Sequence, residues 1–269
     1  MLVLATGQAW RRRSVVSDNG LVRSVERVTA VLELLSARRQ PLRLGEIAQE
    51  LDIPKSTVHG LLHTLAAQDL VRRDEEQRYR ISIRLFSLAA TALGFEDLRD
   101  VARPAMRELS ESTRGTASLA VLDGHDVVYL EKVEDRSSLV QVVTQVGTRV
   151  PAHINALGKA LVGALPPGER ERWVDAHTFT QVTGSTVGDP EAFRAQLAAQ
   201  DRLGYAVNDQ ELHPAVTAWA APVRGHGGQV VAALSLAHLG SPPSADQMHE
   251  LGVRVRDAAA RVSEVLQSG

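Results

Sequence analysis

LGEIAQELDIPKSTVHGLLHTLA, residues 44–66, decides the fold of the first third of the chain. Leu44, Ile47, Ala48 and Leu51 recur at i, i+3, i+4 and i+7, which gives one short helix a single apolar face. Asp52-Ile53-Pro54 ends it. Pro54 suits the first position of the next helix, where a missing N–H costs nothing. In that second helix Val58, Leu61, Leu62 and Leu65 fall on the buried side. Lys55, Ser56, Thr57, His59 and His63 are left on or near the exposed side. Such polar and cationic groups near a helix N-terminus contact base edges and phosphates when the helix lies in a DNA major groove. A plain helical hairpin whose Ser-Thr pair only caps is the alternative.

The next residues narrow the choice. Leu70-Val71-Arg72-Arg73 and Arg78-Tyr79-Arg80-Ile81 read as two strands joined by the polar turn Asp74-Glu75-Glu76-Gln77. Helix, helix and two-stranded wing is the order of a winged helix-turn-helix. Arg72, Arg73, Arg78 and Arg80 on the hairpin, with Arg43 ahead of the first helix, are candidate phosphate contacts. Residues 22–38 supply a further amphipathic helix, with Val25, Val28, Val31, Leu32 and Leu35 inward. We therefore read residues 21–82 as a domain that binds double-stranded DNA.

Charge agrees with that division. The chain carries −2 overall, but residues 1–90 hold 14 Lys and Arg against 10 Asp and Glu, whereas residues 91–269 hold 16 against 22. A basic first third followed by an acidic remainder implies two domains with different partners. The chain has no cysteine, which excludes disulfides, Cys-zinc sites and a Cys nucleophile. No apolar run reaches the length of a bilayer span, so no membrane association is expected. Residues 1–20 lack periodicity and include Arg11-Arg12-Arg13. We read them as a disordered tail or an overextended start of the coding region. Their apolar part precedes their basic part, the reverse of a secretory signal, and implies a cytoplasmic protein.

Residues 83–100 read as a linker helix, rich in Leu, Phe and Ala over 84–99. Residues 101–269 read as a second domain. Pro104 opens a helix stopped by Gly115. TASLAVL and VVYLEKVE flank Asp123-Gly124-His125-Asp126, a hairpin signal. LVQVVTQV (139–146) is a further strand, and PAHINALGKALVGAL runs from a loop into a helix. Two more helices follow, the second ended by Gly204. Then come strands over YAVNDQE, VTAWAAPV and QVVAALSLA, and a closing helix over 244–266. This is an α+β domain around an antiparallel sheet.

These segments resemble the IclR family of bacterial transcriptional regulators from residue 22 to about 266. LGEIAQELDIPKSTVHGLLHTL resembles its helix-turn-helix, VGTRVPAHINALGKA its effector-domain signature, and GYAVNDQELHPAVTAWAAPV with VVAALSLA the second half of that signature. The resemblance implies a homodimer, or a dimer of dimers, on a palindromic operator. It also implies a GAF-like effector domain that holds a small, usually anionic, organic molecule. Three positions depart from the family. Gly60 stands where Arg is usual, Ala218 where Cys is frequent, and Ala237 where some members have Ser.

On that resemblance the pocket is expected where Asn155, Ala156, Leu157 and Gly158 face Asp209, Glu211, Ala218 and Ser235. The small residues would let backbone N–H groups at a helix N-terminus approach a carboxylate or phosphate. Capping by Asn155, backbone bonding by Ser235 and close packing at Ala156 and Gly158 are the alternatives. His153 reads as a packed loop residue. Asp123, His125, His153 and Glu211 could be arranged into an acid–base site only on paper. No HExxH, GxSxG, P-loop or GxGxxG is present; His249-Glu250 begins the first, but Val253 occupies the second His position. We expect no enzyme, cofactor or metal. The expected function is that of a ligand-responsive regulator, more a repressor than an activator.

Overall fold

The computed structural model describes residues 22–38, 40–82, 84–85, 95–134 and 145–268, and the chain divides into two compact units between Gly94 and Phe95. Residues 1–20, read above as a tail, lie outside the described residues, as does most of the expected linker helix.

The first unit runs α1 (Arg23–Ala37), β1 (Leu42–Arg43), α2 (Leu44–Leu51), α3 (Lys55–Ala67), β2 (Val71–Arg73) and β3 (Arg78–Ile81). Its core joins Val31, Leu34 and Leu35 of α1 to Ile47, Val58, Leu62, Leu65, Val71 and Tyr79. Asp52 ends α2 in the left-handed region (φ 51°), a conformation that a short polar side chain tolerates. The sharp turn drops Ile53 into the core. Pro54 stands just ahead of α3 rather than inside it, its carbonyl accepting from Val58 N–H at 3.1 Å. Val25, expected inward, is 60% exposed, because the first turn of α1 extends beyond the elements that would cover it; Leu34 takes the inward place. The wing has a third strand, β1, in the order β1-β3-β2. Two residues are too few to carry an alternation.

The second unit begins with α4 (Phe95–Thr113), which runs unbroken through Pro104. Pro104 therefore does not open a helix. Leu98, Ala102, Met106 and Leu109 make one apolar stripe that spans it, and burial of that stripe offsets the lost N–H. Arg114 takes the left-handed turn (φ 56°) at the end of α4. Gly115 is needed instead for close approach, since a Cβ there would lie 2.5 Å from Leu236. β4 (Thr116–Asp123), β5 (Asp126–Glu134), β6 (Arg149–Pro151), β7 (Ala206–Asp209), β8 (Val216–Arg224) and β9 (Val230–Leu239) form an antiparallel sheet in the order β6-β5-β4-β9-β8-β7. Of the strand expected over 139–146, residues 139–144 lie outside the described residues, and Gln145 begins a turn into β6.

Strand alternation sorts the sheet into two faces. Leu119, Trp219, Leu234 and Leu236 point towards α4 and the closing helix α8 (Ala245–Ser268). Ala120, Ala218, Ala220 and Ala233 point towards α5 (Ala156–Gly163), α6 (Pro167–Ala176) and α7 (Pro190–Leu203). The second face is lined by small residues, and the site described next lies on it. The fold is α+β, as the sequence implied.

Candidate functional site

On the first unit the outward side of α3 carries Lys55, Ser56, His59 and His63, all exposed, with Thr57 half-buried. The His59 and His63 rings stack at 6.5 Å. Gly60 lies between them on open surface, where a Cβ would meet nothing within 4 Å. In the wing, Arg43 pairs with Arg78 and Arg72 with Arg80. Tyr79, between Arg78 and Arg80 on β3, is buried, so all four arginines share the outward face. Arg78 is held by Asp74 at 3.0 Å and Glu76 at 2.5 Å, and Arg72 by Asp69 at 3.4 Å. Arg73 lies on the opposite face, its guanidinium 5.6 Å from the Tyr79 ring centre.

On the second unit, one cavity opens on the small-residue face of the sheet. Thr116, Ala237, Ala218 and Asn208 form a single cross-strand row on β4, β9, β8 and β7. Ser118 and Ser235 stand opposite one another two residues along. These six line the cavity with Tyr129, Asn155, Leu212 and Val216. Its volume is about 20 Å³, room for a single water. No lining side chain is charged. Asn155 caps α5, accepting from Leu157 N–H at 2.9 Å, and its amide donates to the Tyr129 hydroxyl at 2.8 Å. The Tyr129 hydroxyl therefore keeps its own proton to donate. Burial pushes the Tyr129 hydroxyl up to about 12, so it stays protonated. Among the described residues Thr116, Ser118 and Ser235 have no hydrogen-bond partner for their hydroxyls.

The other residues singled out in the sequence lie elsewhere. Ala156, Leu157 and Gly158 are buried in α5 and are not among the lining. A Cβ at Gly158 would stand 2.1 Å from the Ala152 carbonyl oxygen, so this glycine serves contact between two backbones. Asp209 and Glu211 line a second cleft. Asn208, Tyr129, Ser118 and Thr116 were missed. Alternation along YAVNDQE, which puts Asn208 on the face of Ala206, was the signal for the first of them.

Away from the cavity lining, three histidines form a chain. His153 Nε2 donates to the Thr180 carbonyl at 3.1 Å, so its Nδ1 accepts from His177 Nε2 at 2.7 Å. His177 Nδ1 then accepts from His125 Nδ1 at 3.2 Å. Every bond is satisfied with all three rings neutral. Burial, with His153 and His125 alongside, pulls His177 down to about 4. Asp123 instead binds Arg149 at 2.6 Å and Glu211 binds Lys159, so among the described residues neither carboxylate joins this histidine chain. No described helix is long and apolar enough to cross a membrane.

Comparison with known proteins finds relatives that span both units. Residues 24–75 match the model of the IclR helix-turn-helix domain, and residues 90–264 match that of the bacterial transcriptional regulator IclR C-terminal domain. The chain is 30% identical over 247 residues to the HTH-type transcriptional regulator XynR of Escherichia coli, covering 91% of this chain and 98% of that one. It is 31% identical over 244 residues to KdgR of Dickeya chrysanthemi, covering 90% and 79%. Among solved structures, an IclR homolog from Microbacterium hydrocarbonoxydans in complex with 4-hydroxybenzoate superposes with a TM-score of 0.79 at 28% identity, covering 91% of this chain and 100% of that one.

Proposed function

The chain belongs to the IclR family and is a DNA-binding transcriptional regulator; from that premise we propose that it is a repressor whose hold on its operator is set by a small organic carboxylate in the Tyr129–Asn155–Ser235 cavity. The observation that carries this reading is the set of hydroxyl protons available at a cavity with no charged side chain. Tyr129, Ser118, Thr116 and Ser235 can all donate to an anion, and no carboxylate opposes one. The Microbacterium relative binds a hydroxylated aromatic acid, a ligand of that chemistry. The cavity here is too small for such a molecule without movement. Leu212, in the turn after β7, and Val216, at the start of β8, are the lining residues we expect to yield. Ala218 and Ala237, adjacent in one row, are where the ligand gains room.

On the DNA side, α3 enters the major groove and the arginine face of the wing lies along the phosphates. Arg43, Lys55, Arg72, Arg78 and Arg80 supply charge; Ser56, Thr57, His59 and His63 reach base edges or the adjoining backbone. One recognition helix per chain calls for a homodimer, or a dimer of such dimers, on a palindromic operator. The exposed Val22 and Val25 at the start of α1 suit a partner chain. Acting on a chromosome, the protein works in the cytoplasm. The domain limits we propose are 21–82 for the winged domain and, because α4 runs unbroken across residue 100, a linker over 83–94 and an effector domain over 95–269 in place of 83–100 and 101–269.

The test is anisotropy of labelled DNA from upstream of the protein's own gene, over a salt series, then with 4-hydroxybenzoate and a panel of small carboxylates. We expect competitor-resistant binding with a steep salt slope, released by at least one acid. If neutral amides of the same shapes release the protein and the acids do not, the anion assignment is wrong.

A further inference from the structure

At the edge strand β7, against α7, lies a cleft larger than the effector cavity. It measures about 180 Å³, above the roughly 150 Å³ at which a protein cavity takes a benzene-sized guest. Its walls are Leu203, Tyr205, Ala206 and the aliphatic part of α7. Its polar groups are Lys159, Glu211, Gln196 and Gln200, with Asp209 also on the lining. Lys159, Glu211 and Gln200 are only 2%, 3% and 7% exposed.

The hydrogen bonding of this group does not close. Lys159 Nζ donates to Glu211 Oε1 and, at 3.0 Å, to the Val207 carbonyl. Gln196 Nε2 donates to the same Glu211 oxygen at 3.3 Å. Gln200 Nε2 donates to the Ala160 carbonyl at 3.4 Å. Glu211 Oε2, Gln196 Oε1 and Gln200 Oε1 are buried with no donor at all. Buried polar atoms are nearly always paired, and an unmet carboxylate oxygen is among the costliest exceptions. All three orphans are acceptors, and all belong to residues of one cleft. Lys159 is paired with Glu211, and Asp209, on the exposed part of the lining, adds a further negative charge.

We propose that this cleft is a second ligand site, separate from the effector cavity, for a small organic ammonium. A primary ammonium brings a positive charge and three N–H donors to a cleft whose orphaned groups are all acceptors and whose lining carries two carboxylates against one ammonium. The apolar walls take a short hydrocarbon body. A carboxylate would meet Glu211 and Asp209, with Lys159 already engaged by Glu211, and brings no donor; an alcohol brings one donor and no charge. The inference rests on the cleft alone and stands whatever the first cavity binds.

The probe is n-butylammonium chloride, titrated calorimetrically into the full-length protein at constant ionic strength, with n-butanol and sodium butyrate as matched controls. We expect saturable one-to-one binding of the amine only, weakened at least tenfold by Gln196→Leu. Ala199→Phe, which fills the cleft from the half-exposed side of α7 without touching a buried polar group, should abolish it. Ser235→Leu, which fills the effector cavity, should not. Four results would overturn the proposal: no saturable binding up to about 10 mM, an affinity near the weakest that counts as recognition; equal binding of butanol, which would mean water-like filling of the cleft; retention of amine binding in Ala199→Phe; or its loss in Ser235→Leu alone, which would move the amine to the other cavity.

Discussion

Arg72 and Arg80 stand directly opposite one another across the β2–β3 pair, with Arg43 opposite Arg78 on the other side of β3. Like charges at opposed positions destabilise a sheet, so this face is costly until a polyanion covers it. Arg80 has no carboxylate partner among the described residues, whereas Arg78 already has two. We predict that Arg80→Ala weakens binding to all DNA sequences alike and lowers the salt slope by about one. Arg78→Ala should change it less. Anisotropy over a salt series checks both, and an unchanged slope in Arg80→Ala would remove the wing from the phosphates.

Gly60 sits inside α3 with open space around its missing Cβ. Gly60→Ala should therefore stabilise the first unit by about 1 kcal/mol, the ordinary helix preference of Ala over Gly. Urea unfolding of the full chain reads this. A loss of stability would mean that the surface around Gly60 is not open.

Gly158 is the opposite case. A Cβ there would stand 2.1 Å from Ala152 O, a backbone atom that cannot swing away. We expect Gly158→Ala to cost about 3 kcal/mol or more, at the upper end of overpacking substitutions. Thermal unfolding tests it, and a cost below about 1 kcal/mol would show that α5 slides freely on the 3-10 turn before it.

The histidine chain predicts a pH dependence. The His177 ring titrates near 4 in the folded protein, against an unfolded value near 6.5. Between those values the unfolded chain holds a proton that the folded one does not, so stability rises with pH across this window and falls as pH drops from about 6.5 to about 4. The slope from one such group is at most about 1.4 kcal/mol per pH unit. His177 is half-buried, so the observed slope should be smaller. Denaturant unfolding at a series of pH values should show a shallower slope in His177→Gln than in the parent; identical slopes would exclude this ring as the source.

Elements with strong periodicity were legible from sequence. The helix pair at 44–66, the wing and the strands within 116–134, 205–211, 216–223 and 229–239 all carry spacing that burial alone dictates, whereas β6 was missed. What failed was local competition. Pro104 looked like a helix start because its ring forbids one hydrogen bond, but a stripe of four apolar residues outweighs that loss. β1 was invisible because two residues make no pattern. For the cavity, the family resemblance pointed to Asp209 and Glu211, which line the other cleft. Asn208 is the residue that faces the cavity, and only the pleat, not the chemistry of the side chain, says so. Tyr129 and Ser118 come from β5 and β4, and a linear reading has no means of bringing them to Asn155.

Asn208 binds in two directions at once. Its amide holds the Ile154 carbonyl at 2.8 Å, and its oxygen holds Glu211 N–H at 2.9 Å. One side chain thus staples the turn before α5 to the segment that carries Glu211, while its own flank faces the effector cavity. A guest on either side pushes on the same clamp. If that push differs between the clamp's closed and loosened arrangements, each guest alters the other's affinity by the same factor, because linkage of this kind runs equally both ways.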